Sequence, residues 1–203
     1  MLSPNGGVAH CVDGAVSRSG EHSDGTWSHA YGNAGNIASS TAQVGTQLKL
    51  QWFGGPGPRN MVDRHMRTMP PLVVDGLLYV AALNRVILVD AYTGNVLWEK
   101  EIPDSTRIGI LKDCGWMAAD RERLFVAVGS RCIGIETDKH GNPNTTYELK
   151  VPVADRHWGY VARVGDFLIG SGAKPDASRR TICLLYTSPS PRDLSTSRMP
   201  SSA

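Results

Sequence analysis

PPLVVDGLLYVAALNRVILVDAYTGNVLWEKEIP, residues 70–103, decides the fold. It splits into short runs of β-branched, aromatic and aliphatic residues separated by turn signals. LVV is followed by the pair Asp75-Gly76, then by LLYVAAL. Asn84-Arg85 marks a second turn before VILVDA, and Thr93-Gly94 a third before NVLWEKEI. Such runs, joined by tight turns, predict four strands in an antiparallel meander. The inner runs are apolar at nearly every position, so both faces of the sheet must be covered. One four-stranded meander cannot cover itself, and neighbours of the same kind must stack on it.

A neighbour follows in MAADRERLFVAVGSRCIGIETDKHGNPNTTYELKVP, residues 117–152. Tyr79 aligns with Phe125 and Asp90 with Glu136, each 46 residues on; Pro103 aligns with Pro152 after a longer turn, DKHGNPN. A third unit starts at WGYVARVGDFLIGSGAK (158–174), where Leu168 takes the Phe125 place after 43 residues. A period in the forties with four strands per unit predicts a β-propeller. The expected fold class is therefore all-β: an incomplete β-propeller of four-stranded antiparallel blades, about two full blades plus partial ones. A closed ring takes about four to eight blades. The chain thus reads as a piece of a longer protein, and its first partners as the missing blades. Its open sheet edges predict self-association or insolubility when it is expressed as it stands.

Composition narrows the function classes. The chain has 203 residues, 41 % hydrophobic and 20 % charged, with 21 basic against 19 acidic side chains. That even balance argues against nucleic acid or an anionic membrane as partner. No window approaches the apolar length of a membrane span. The start, MLSPNGGVAHCVDGAV, has neither the basic opening nor the apolar run of a signal peptide. Residues 1–24, rich in Gly and Ser, read as a linker or an upstream remnant. LKLQW (48–52) alternates and predicts a half-buried strand, and FGGPGPRN (53–60) a loop.

Several residues carry candidate chemistry. RNMVDRHMR (59–67) brings Arg59, Asp63, Arg64, His65 and Arg67 to a loop leading into the first unit. Asp63 and His65 are the catalytic candidates, as orienter and base. Arg64 is a candidate anion contact; a solvated loop whose charges pair internally is the plainer reading. His157-Trp158 is a candidate stacking platform for a small-molecule ligand, or else an inter-blade packing pair. Cys114 and Cys132 are disulfide partners in an oxidising compartment or two buried hydrophobes otherwise, and Lys112 stands near Cys114 to activate it. DKHGNPN has oxygen donors but not the spacing of a calcium-binding loop, so no metal site is assigned.

LVDAYTGNVLW (88–98) resembles the Ala-x-Asp-x-x-Thr-Gly-x-x-x-Trp repeat of pyrroloquinoline-quinone (PQQ) type propellers, with Leu88 in place of Ala. In this pattern Asp90 caps the turn, Gly94 supplies a positive φ, and Trp98 packs between blades. The second unit carries a degraded version, IGIETDKHGNPNTTYEL, with Glu136 for the Asp and Tyr147 near the Trp position. DGTWSHAYGNAGNIASS (24–40) resembles the segment that precedes the first complete blade in such proteins. Over residues 25–182 the chain is similar to the planctomycete-type PQQ-binding-like repeat proteins of bacteria. The resemblance implies a periplasmic or extracellular location and a ligand- or protein-binding propeller. The alternatives it implies are part of a quinoprotein alcohol or sugar oxidoreductase holding PQQ and calcium, and an envelope assembly scaffold. The adjacent-cysteine pair and the carboxylate motif of the quinoprotein enzymes cannot be placed in this sequence.

The last 21 residues, CLLYTSPSPRDLSTSRMPSSA (183–203), hold six Ser and three Pro. Back-translated in frame, they resemble a transposase end and adapter from short-read library preparation. They are read as a non-native tail, which removes Cys183 from any functional argument.

Overall fold

A computed structural model describes residues 7–10, 16–19, 25–40, 50–55, 61, 69–106, 116–138 and 142–175. All regular structure among them is β. β1 (Gly7–His10) and β2 (Val16–Ser19) pair antiparallel within the stretch read as a linker. β3 (Leu72–Val74), β4 (Leu77–Ala82), β5 (Arg85–Asp90) and β6 (Val96–Glu101) form one sheet in sequence order. β7 (Met117–Ala119), β8 (Arg123–Val128), β9 (Arg131–Thr137) and β10 (Pro143–Lys150) form a second, again in sequence order. β11 (His157–Val164) and β12 (Phe167–Ala173) make a two-stranded third.

Turn chemistry sets these boundaries. Asp75 (φ 49°) and Gly76 (φ 77°) are both left-handed, which matches the twist of the β3–β4 hairpin. The next turn is centred on Leu83 and Asn84, not on Asn84-Arg85: Ala82 pairs with Arg85, and Asn84 takes the left-handed conformation (φ 48°) that Asn tolerates best. At the third turn Asp90 Oδ1 accepts the N–H groups of Tyr92 (2.8 Å) and Thr93 (3.0 Å). Gly94 (φ 74°) donates to the Asp90 carbonyl.

Leu50 to Trp52 form no strand, contrary to the alternation of LKLQW. Leu50 is exposed, and the segment attaches through side chains: Gln51 Nε2 and Trp52 Nε1 donate to the carbonyls of Tyr92 and Ala91. The carbonyls that the turn leaves open at Ala91 and Tyr92 thus take side-chain donors rather than a ladder.

The register gives the true repeat. Leu72–Tyr79–Leu88 pair across the first sheet as Ala118–Phe125–Gly134 pair across the second, an offset of 46. From second to third sheet the offset is 44: Ala119–Leu124 becomes Arg163–Leu168. Ile169, not Leu168, therefore takes the Phe125 place.

On this register the sheets stack in one sense. Leu72, Leu77, Tyr79 and Leu88 of the first sheet pack with Met117, Leu124, Val126 and Ile133 of the second. The opposite face of the second, with Ala118, Phe125, Ala127 and Cys132, packs on Trp158, Val161 and Leu168 of the third. Each sheet covers the one before with one face and presents the other to the one after.

Candidate functional site

The strap Gly25–Ser40 ties the three sheets together along their inner edges. Trp27 exchanges both backbone hydrogen bonds with Val73 on β3 (2.7 and 2.9 Å). The Ser28 carbonyl accepts the Ala119 N–H on β7 (2.9 Å). The Arg163 N–H on β11 goes to His29 Nε2 (2.9 Å). Val73, Ala119 and Arg163 occupy the same place in successive units, 46 and 44 residues apart. Three equivalent edge donors thus meet acceptors from three consecutive residues. An unpaired donor in a covered edge would cost about 1–3 kcal/mol, which is the physical reason for the strap.

The third acceptor differs in kind, since it is an imidazole nitrogen. The chain turns back after His29, with Ser28 donating to the Gly32 carbonyl and Gly32 donating to the His29 carbonyl. The His29 ring is 2 % exposed. Nε2 faces an N–H, so it carries the lone pair. The proton then sits on Nδ1, which donates to Ser28 Oγ at 2.7 Å. Burial lowers the pKa of His29 below 6.5.

Arg163 continues the clasp outward. Its Nε donates to Asp120 Oδ2 (3.0 Å), and its guanidinium lies 5.9 Å from the Phe125 ring centre. Asp120 Oδ1 accepts the N–H groups of Glu122 (2.9 Å) and Arg123 (2.7 Å), so one carboxylate shapes the β7–β8 turn and anchors the third sheet. Arg121 meets Asp75 of the first sheet at 3.2 Å, though well exposed. Tyr160 donates to Asn36 Oδ1 (3.0 Å) and stacks edge-on with Trp116.

Two open polar grooves lie apart from the clasp. One, of about 440 Å³, is lined by Arg121, Arg123, Glu122, Glu136 and Asp138, whose charges largely oppose one another. The other, of about 380 Å³, is lined by Lys150, Arg156, His157 and Val153. Ser130 and Asp155 also line the second groove, and no hydrogen bond joins Ser130 to His157 there, as a nucleophile and its base would require.

Arg59, Asp63, Arg64, His65, Arg67, Lys112 and Cys114 lie outside the described residues, as does Cys183. Trp158 is 7 % exposed, packed among Phe125, Ala127 and Cys132 and across Gly170, as the packing alternative expects, and His157 lines the second groove. Cys132 is a free thiol, fully buried, and burial pushes it up to about 12. Asp138 binds Asn142 within its own turn. Among the described residues no group of three or more His, Cys, Asp or Glu could hold a metal ion. No helix among them is long and apolar enough to cross a membrane.

Sequence reasoning missed Ser28, His29, Asp120 and Arg163. The one available signal is a charged residue at a repeat position that holds Val73 and Ala119 in the other units. Comparison with protein-family models, with curated proteins and with solved structures returned no match.

Proposed function

We propose that the chain is the stacked-sheet part of a PQQ-like β-propeller repeat protein of the bacterial envelope, and that it acts as a binding module rather than as a self-contained catalyst. One observation supports this reading above the others. Tyr79 and Phe125, which face the following sheet, are 0 and 3 % exposed, whereas their counterpart Ile169 is 54 % exposed. Beside it, Phe167 is 74 % and Val164 45 % exposed. The face that two units bury under a successor is open in the third. Its partner on this reading is a further sheet of the same repeat. Burying what Phe167 and Ile169 still expose would stabilise such an assembly by roughly 2–4 kcal/mol before entropic costs.

The test is sedimentation velocity with dye-binding fluorescence on the whole chain. The wild type should self-associate with rising concentration and bind an apolar dye. The double variant Phe167→Glu, Ile169→Glu should lose both properties while keeping its β circular dichroism. A wild type that stays monomeric and binds no dye sinks the reading.

A further inference from the structure

The strap holds the first two sheets through peptide carbonyls, which do not titrate, and the third through an imidazole, which does. We propose that His29 is a pH-sensitive latch: neutral, it holds the inner edge of β11 through the Arg163 N–H; protonated, it lets that edge go. The inference does not depend on what the open face of the third sheet binds.

The geometry leaves a protonated ring no good arrangement. Both nitrogens of an imidazolium are donors, so Nε2–H would face the Arg163 N–H. A ring that is 2 % exposed has no water to turn to. Among the described residues, the charged or titratable groups on the elements packed against it are Asp120 just after β7 and Arg163, His157 and Tyr160 on β11; β3 supplies none. Asp120, the acid that holds Arg163, already has both oxygens engaged, Oδ2 by Arg163 itself. Asp166, the other acid beside Arg163, is fully exposed and 3.5 Å from its guanidinium.

The direction follows from linkage. The folded-state pKa lies below 6.5, so as pH falls the unlatched chain takes up the proton first. The latch is at full strength above 6.5 and weakens on acidification until the folded ring itself titrates. The loss is about tenfold in the latching equilibrium for each pH unit separating the two values.

Hydrogen exchange on the whole chain tests this, at pH 7.5 and 5.0 with intrinsic exchange rates divided out. Peptides covering residues 157–164 should lose protection at pH 5.0 more than those covering 77–90. His29→Gln supplies a neutral acceptor at the same reach, and its β11 protection should be independent of pH. His29→Ala should leave β11 weakly protected at both. The proposal is overturned by equal β11 protection of the wild type at the two pH values, or by a His29→Gln variant with the wild-type profile. Should the variants not fold, nitrogen NMR of the wild-type ring decides: Nδ1–H with a midpoint below 6.5 is expected, and Nε2–H or a midpoint at or above 6.5 refutes the latch.

Discussion

A Cβ added at Gly170 would clash with the Trp158 ring at its Cζ3 and Cε3, and one at Gly134 would clash with the Tyr147 ring near its hydroxyl end. The two clashes differ in what can give way. Trp158 is 7 % exposed and walled in by the second sheet, whereas Tyr147 is half-buried on the outermost strand and can swing outward. Gly170→Ala is therefore expected to destabilise by about 1–3 kcal/mol, and Gly134→Ala by clearly less. Urea denaturation of both variants checks the order, and a reversed order would contradict this account of the packing. Cys132 allows a second prediction. With its thiol pushed up to about 12, about one molecule in ten thousand carries the thiolate at pH 8. Alkylation of the native chain should spare Cys132, and alkylation in denaturant should label it, as read by peptide mass spectrometry; rapid native labelling would show that its site opens readily. None of these environments is written in the local sequence. A glycine between apolar residues looks the same whether its partner ring is fixed or free.

At the scale of elements, most strands of the three sheets could be read directly. Asp75-Gly76 and Asp90 to Gly94 impose their turns by backbone conformation and side-chain capping, which are local and need no tertiary context. What could not be read was parity. β12 opens Phe-Leu-Ile, apolar at every position, so a slip of one residue leaves the hydrophobic pattern intact and moves every side chain to the other face. Hence the sequence placed Leu168 opposite its neighbours as the Phe125 counterpart, while the Val164–Phe167 hairpin pairing assigns that place to Ile169. The strap was legible only as a Trp-containing segment ahead of the first unit. Its contacts span 46 residues from Trp27 to Val73 and 134 from His29 to Arg163, and no periodicity reports on pairings of that range.

At the scale of the molecule, the three sheets are not equally secured. The first two share one large cluster running from Leu72, Tyr79 and Leu88 to Met117, Val126 and Ile135, all at most 1 % exposed. The third is attached through a smaller cluster around Trp158 and Val161, and β12 buries none of its residues fully. Local opening free energy follows buried apolar contact and covered backbone hydrogen bonds, so opening should be graded along the stack. At pH 7.5, where the His29 latch is closed, amides of β4, β5, β8 and β9 should exchange slowest, those of β11 faster, and those of β12 fastest among the three sheets. Val161→Ala removes a fully buried side chain from the interface between second and third sheets. It should accelerate β11 and β12 while leaving β4 and β5 nearly unchanged, because additivity holds for sites that share no contacts. Uniform exchange across all three sheets, or a Val161→Ala effect spread equally to β4, would mean that the molecule opens as one cooperative unit, and the graded stack would have to be abandoned.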